Sequence, residues 1–407
     1  MPMRPSRRLA ILAAAAVWSA TAAGGAPAST AARGTTWTAP VVLDGAGGPN
    51  GRLSAPIGED TTAVIYDGVV HLFYSAGIGE RSVLRQATFG GPAMFETLDG
   101  EGGTAGRTTD SVGRDVSAAV YGGAVHVFYL NDTNGDLRHA WFGGSVWRFR
   151  TLDGASTRHG RIVADLGDAS VATVYGGNLE VVYLDETGLD VRRASFDGSS
   201  WSFSDLDGDS TAGGHTGHEV GFNLGAAVWG GALHVLYYER DPAYGPDLGW
   251  VRETVLEGTT WTYSRAFRVS AILPGKTLAV GVVAADDVYV AYNNVIQADV
   301  SLRWRRWNGG AWSESVLLAR MFDGQVSARG VFAVADNIPS LAFSDPRTFG
   351  ESAAYYSWSD GTVSAQYSPH GGVPSSALVV RGVPRVYWGA GGTDGSCCGL
   401  LLRTSRP

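Results

Sequence analysis

Arg52, Arg107 and Arg161 each follow a glycine and occupy one position of a repeated unit, and the fourth unit offers Gly214-His215 there. A loop-borne guanidinium presents a planar fork that fits carboxylates and sugar hydroxyls. Three forks and one imidazole would make a set of equivalent ligand sites. The same repetition arises if each side chain pins a long loop to a neighbouring Asp or carbonyl, and this structural role is favoured. A second group is Glu239, Arg240, Asp241, Tyr244 and Asp247, in the longest loop of the chain. It combines both charge signs with a tyrosine, which suits a specialised contact.

Other motifs carry weaker chemistry. Asp132-Thr133-Asn134-Gly135-Asp136 begins like a calcium loop but lacks the following glycine and the distal Glu. Asn134-Gly135 alone explains it as a turn. His71, His126 and His234 share one mid-strand position, where a buried, hydrogen-bonded histidine is expected rather than a metal ligand. Cys397 and Cys398 are the only cysteines and can pair within the chain only with each other. A vicinal disulfide there would make a rigid loop able to contact a ligand, and two thiols or an incidental strained bridge are the plainer alternative. No nucleophile or facing carboxylate pair can be named, so catalytic residues stay unassigned, and no metal or cofactor is expected.

These residues need a scaffold, and the repeat supplies it. Leu-Asp-Gly recurs at Leu43, Leu98, Leu152 and Leu206. An aromatic follows at a fixed distance: Tyr66, Tyr121, Tyr175 and Trp229, each before Asp-Gly or Gly-Gly. Each unit reads as four strands. Strand A ends at that aromatic, and strand B is an alternating run such as Val125 to Tyr129. Strand C is typified by Leu137 to Phe142, and strand D opens at Trp147, Trp201, Trp261 or Trp312. Two-residue glycine turns between alternating runs are hairpin signals. Later B strands fall near Val288 to Tyr292, Ile338 to Phe343 and Pro384 to Trp388, which makes seven.

The segment from Trp37 to Leu43 matches a lone strand D, while the last unit, from Ala377 to Arg403, supplies A, B and C without a D. The expected fold is therefore all-β: a seven-bladed β-propeller of four-stranded antiparallel blades, closed by the N-terminal strand completing the last blade. Composition agrees. Glycine is 57 of 407 residues and charged residues are 17%, which fits tight turns between buried blade faces and excludes a coiled coil or helical bundle. Net charge is -8, with Lys276 the only lysine, so nothing offers the basic stripe of a nucleic-acid binder. Arg4, Arg7 and Arg8 precede the apolar run Leu9 to Ala16 and small residues, as in a signal peptide. Residues 1–35 read as leader and linker and 36–407 as one propeller domain, secreted by the general rather than the twin-arginine route and not membrane-spanning.

The pattern of small-residue strand, aromatic, Gly-Gly, alternating run and Asp-Gly-x-x-Trp resembles the blades of fungal-type fucose-binding lectins. It is most similar at Ala226 to Tyr238 and Phe196 to Trp201. That family holds sugar with an Arg in strand B and a Glu in strand C. Here His71, His126 or His234 replaces the Arg, Gln86, His139 or Arg193 replaces the Glu, and only Glu253 keeps the acid. Fucose specificity is thus not implied, but propeller ancestry and sugar binding are. Sialidases, also propellers, carry a box that Ser195 to Trp201 approaches one residue short. The expected function is a non-catalytic, lectin-like protein binding a glycan or extracellular polymer on its long-loop face. The alternatives are a glycoside hydrolase or sialidase-like enzyme with one site over the central channel, or a protein-binding scaffold.

Overall fold

The computed structural model describes residues 36–406, apart from 38–40, 209–210, 245–247, 271–277, 297–298, 322–329, 336, 345–352, 360–361, 369–372, 382 and 392–397. The expected leader therefore lies outside the described residues, as does Cys397, and with it any Cys397–Cys398 bridge.

The fold is all-β, built of antiparallel sheets. Strands β1 (Thr36–Trp37) and β2 (Val41–Asp44) come first. Strands β3 (Ile57–Tyr66), β4 (Val69–Ile78), β5 (Arg81–Phe89) and β6 (Met94–Asp99) form the first sheet. The second holds β7 (Val112–Tyr121), β8 (Ala124–Asn131), β9 (Asp136–Phe142) and β10 (Trp147–Asp153). The third holds β11 (Leu166–Tyr175), β12 (Asn178–Asp185), β13 (Asp190–Phe196) and β14 (Trp201–Asp207). The fourth holds β15 (Val220–Trp229), β16 (Ala232–Arg240), β17 (Leu248–Glu257) and β18 (Thr260–Ser270). The fifth runs from β19 (Leu278–Ala284) through β20 (Asp287–Ile296) and β21 (Asp299–Trp307) to β22 (Val316–Met321). The sixth comprises β23 (Gly330–Ala335), β24 (Ile338–Ser344), β25 (Ala353–Ser359) and β26 (Thr362–Ser368). In the last, β27 (Val373–Val380), β28 (Val383–Gly391) and β29 (Cys398–Arg406) are joined by β1 and β2, both paired to β29.

Successive strands of each sheet take the A to D roles. Trp312 is an exception: it precedes β22 and only bridges to Trp307. Three single-turn 3-10 segments, Arg158–Gly160, Ala212–Gly214 and Pro242–Tyr244, lie in loops and had no sequence signal. No helix among the described residues is long and apolar enough to cross a membrane.

The A–B turns of the first four sheets use positive φ at both central residues, as at Gly122 (57°) and Gly123 (73°), the geometry that matches the twist of a hairpin. The apolar core lies between neighbouring sheets, not within one. Phe73, Leu84 and Leu98 of the first sheet pack on Val112, Val125, Val127 and Tyr129 of the second. Phe128, Leu137 and Leu152 then pack on Leu166, Leu179 and Val181 of the third. Alternation along strand B serves both faces, and each fully buried Val, Leu or Phe gains about 1.5–3 kcal/mol.

The Leu-Asp-Gly aspartates are buried clips. Asp99 accepts from Tyr129 Oη (2.7 Å) and Arg138 Nε (2.9 Å), and its other oxygen takes the backbone N–H of Gly100 and Thr108. Asp44 and Asp207 do the same with Tyr74 and Arg85 and with Tyr237 and Arg252, while Asp153 accepts from Tyr183 and faces Arg192 Nε as an ion pair at 3.5 Å. Burial and the adjacent carboxylate hold these phenols well above their ordinary pKa, so they stay donors. Each clip ties the end of one sheet's last strand to the two middle strands of the next sheet.

Candidate functional site

The clip also fixes the long loops that carry the sequence-selected arginines. The second guanidinium arm of Arg85, Arg138, Arg192 and Arg252 donates to the carbonyl of Gly51, Gly106, Gly160 and Gly214, at 2.6–2.9 Å. These glycines have φ between 80° and 94°. At Gly106 an added Cβ would clash with the Phe149 carbonyl, so the loop can lie on strand D only without a side chain. The next residue then leans over an aromatic of strand D. Arg52 covers Phe95 at 5.3 Å, Arg107 covers Phe149 at 5.4 Å and Arg161 covers Phe203 at 5.1 Å. His215 packs on Tyr263 at 4.3 Å in the same way. For the three arginines the expected pinning partner, an Asp or carbonyl, is an aromatic ring, while His215 Nδ1 also lies 4.0 Å from Asp207; the glycine carbonyl is pinned by a strand C arginine.

The fourth-unit group is placed apart from these. Glu239 is fully buried and accepts from Arg265 Nε (2.9 Å) and Nη2 (2.6 Å), from Thr216, and from His218 Nδ1 (2.8 Å). Despite burial, which acts to raise its pKa, the Arg265 and His218 hydrogen bonds hold it below the usual carboxylate range. Arg265 Nη2 is also 2.8 Å from Asp241. His218, Glu239 and Asp241 bring their ligand atoms within 4.8 Å, a metal-like triad. The Arg265 guanidinium already contacts both carboxylates, and Arg252 Nη1 lies 3.5 Å from Glu239. Arg240 pairs with Glu219 at 2.6 Å, and Tyr244 closes the third 3-10 turn. Asp132, Asn134 and Asp136 do not converge: Asp132 pairs with Arg114, Asn134 caps the Asp136 N–H, and Asp136 accepts from Thr151.

A cleft of about 550 Å³ lies between the second and third sheets. Tyr121, Phe196, Trp201 and Phe203 wall it, with Trp141, His126, His139 and Arg150 facing them. Arg161 and His159 enter from the loop joining the two sheets, and Gly122 and Gly198–Ser200 come from short turns. The cleft is therefore between sheets and draws on both loop sets. Of the sequence-selected binding residues, only Arg161 lines it.

Its polar base is a directional chain. Arg150 Nε can only donate, so His139 Nδ1 accepts (3.2 Å). His139 then carries its proton on Nε2 and donates to His126 Nδ1 at 3.0 Å. Both rings are neutral. Burial lowers the His126 pKa to about 4 and drives that of fully buried His139 well below the ordinary value. The three mid-strand histidines are cross-strand bonded as expected, with Gln86, His139 and Glu253 as partners. Arg150 lies between Trp141 (5.1 Å) and Trp201 (5.6 Å), and no carboxylate is among the lining residues. Burial and the nearby Arg161 both press on the Arg150 charge.

A second cleft of about 320 Å³ repeats this position between the third and fourth sheets. There Glu180 takes both arms of Arg193 (2.7 and 2.8 Å) and the Ser195 hydroxyl, with Trp261 as wall.

Arg150 escaped the sequence reading because it departs from the repeat. Its counterparts one residue after the strand D aromatic are Glu96, Ser204 and Ser264. That departure is the signal that could have found it.

The sequence matches no family model and no curated protein. Solved structures with a similar course include a polysaccharide lyase, an ulvan lyase bound to -[GlcA(1-4)Rha3S]-, at 14% identity over 77% of this chain and 79% of that one, TM-score 0.45. Another is the α-L-arabinofuranosidase arb93a from Fusarium graminearum, at 9% over 91% and 98%, TM-score 0.46. A third is the subtype N11 neuraminidase-like protein of A/flat-faced bat/Peru/033/2010 (H18N11), at 9% over 91% and 94%, TM-score 0.44. None of these three is a fucose-binding lectin. The expectation of a non-catalytic lectin is corrected here, since the comparisons return proteins named for glycan processing. Likeness at this level assigns this chain no activity.

Proposed function

We propose that this chain is a carbohydrate-processing enzyme that takes its glycan in the cleft between the second and third sheets. The observation that carries the reading is the cleft itself. It has aromatic walls for the apolar face of a sugar ring and a cationic, hydrogen-bonded base for its hydroxyls. Two carboxylates facing each other, as hydrolysis of the usual kind needs, are not among the lining residues. Acid–base work would fall to the His126 imidazole, because both ring nitrogens of His139 are held by Arg150 and His126. The test is incubation of the protein with a panel of polysaccharides, reading new reducing ends and the ultraviolet absorbance of unsaturated uronates. Turnover of one polymer, lowered at least about 100-fold by His126→Ala with the fold retained, is expected. Binding without turnover across the panel would overturn the reading.

We propose in addition that the sheets close into a seven-bladed ring within one domain, 36–407, exported by the leader at residues 1–35. Three contacts support closure: β1 and β2 pair with β29, Asp44 at the end of β2 clips Tyr74 and Arg85 of the first sheet, and Leu43 shares a core with Tyr74 and Tyr387. Particle averages without seven-fold pseudo-symmetry would count against the ring. An unprocessed N-terminus on protein recovered from the medium would count against the leader.

A further inference from the structure

Of the two clefts built at the same repeat position, one is charge-balanced and one is not. In the smaller, Arg193 is closed onto Glu180 by two hydrogen bonds. In the larger, Arg150 and Arg161 enter with no carboxylate among the lining residues. Arg150 spends Nε on a neutral imidazole, which leaves its charge uncompensated. Arg161 Nε is buried without a hydrogen-bond partner, and its guanidinium rests on Phe203. The larger cleft also has His159, exposed at a positive φ of 60°, at its mouth. Two guanidiniums held close by aromatic walls repel each other, and an anion between them relieves that repulsion with charge-assisted bonds.

We infer that the cleft between the second and third sheets selects an acidic sugar residue, its carboxylate or sulfate held by Arg150 and Arg161 while the ring lies against Trp201 and Phe196. This rests on the reading of the cleft as the glycan site. It adds a substrate class, an anionic glycan, which the aromatic walls alone would not impose. The balanced cleft beside it has no free cation to offer and serves as the internal control.

The experiment measures binding without turnover, by calorimetry on the full chain at low and moderate salt. The probes are an oligogalacturonate, its carboxyl-reduced form, a sulfated oligosaccharide lacking uronate, and its desulfated form. The acidic member of at least one pair is expected to bind about tenfold or more tighter than its neutral form. That gap should narrow with salt. The carboxylate and sulfate arms separate the two sources of charge. Arg161→Gln, which leaves the Arg150–His139 chain intact, should remove most of the preference, and Arg150→Gln should do so as well. The double variant Glu180→Gln with Arg193→Gln, which removes both charges of the balanced cleft together, should leave it unchanged. Equal binding of acidic and neutral forms, or a preference that survives both substitutions in the larger cleft, overturns the inference. Acidic binding with no turnover of any polymer would leave the inference standing and remove the enzyme reading. Turnover of a neutral polymer without acidic preference would do the reverse.

Discussion

The clefts on either side of the third sheet are the same construction with opposite electrostatics. Both have a strand A aromatic, a polar pair on strands B and C, and a tryptophan opening strand D of the next sheet. One pair is His126 with His139, neutral and fed by Arg150, while the other is Glu180 with Arg193, ionic and closed. The difference teaches that this scaffold separates architecture from chemistry. The parts that set distances repeat, and the groups that face into the clefts are free to change.

The largest effect expected from breaking this contrast is at the ionic cleft. Arg193→Met would leave Glu180, whose side chain is 1% exposed, with a charge but no cation, at a cost of about 3–5 kcal/mol in denaturant unfolding. Arg150→Met, in the neutral cleft, orphans no charge and should cost only about 1 kcal/mol. Equal losses would erase the distinction.

Acid should also separate the clefts. His126 has its pKa lowered from 6.5 to about 4, so between those values the unfolded chain binds the extra proton. Stability is full above pH 6.5 and falls as pH drops toward 4, by about 3 kcal/mol for this group alone. The His126→Phe variant should show a flatter profile over that window.

Smaller effects should be alike on the two sides. Tyr129→Phe and Tyr183→Phe each remove one buried hydrogen bond to a clip aspartate, and each should cost about 1–1.5 kcal/mol. Tyr121→Phe removes one exposed bond, to the Gly177 carbonyl, and about 0.5 kcal/mol is expected by thermal denaturation. Unequal values for Tyr129→Phe and Tyr183→Phe would show that the scaffold is less uniform than its hydrogen bonds imply.

Much of the scaffold was legible because its signals are local. Gly-Gly turns, alternating runs and the Leu-Asp-Gly spacing each act within a few residues, and the strands fall where they indicate. The purpose of the aspartate was not legible. It meets its tyrosine 30 residues on and its arginine in the next sheet's third strand, a relation fixed by how sheets stack. The fixed-distance aromatics were read as markers, yet Tyr66 and Tyr121 reach into the next sheet's turn to bond Gly123 and Gly177. The functional cleft was harder still. It joins residues from two sheets, brought together only by how those sheets stack. Following the repeats favoured positions that recur, so Arg52 and Arg107 were noticed and Arg150 was not.

The pairing of β2 with β29 sets an order of assembly. Clips close over about 30 to 45 residues, whereas Val42 pairs with Leu401 across nearly the whole chain. Chain-closure entropy rises slowly, by about 0.6 kcal/mol per doubling of the loop, so the seam is thermodynamically affordable. Kinetically it must come last, after every sheet between has stacked. Until then β2 and β29 each expose an unpaired strand edge, the feature most prone to pairing with another chain. Formation of the seam thus removes the two strand edges that β2 and β29 present to each other.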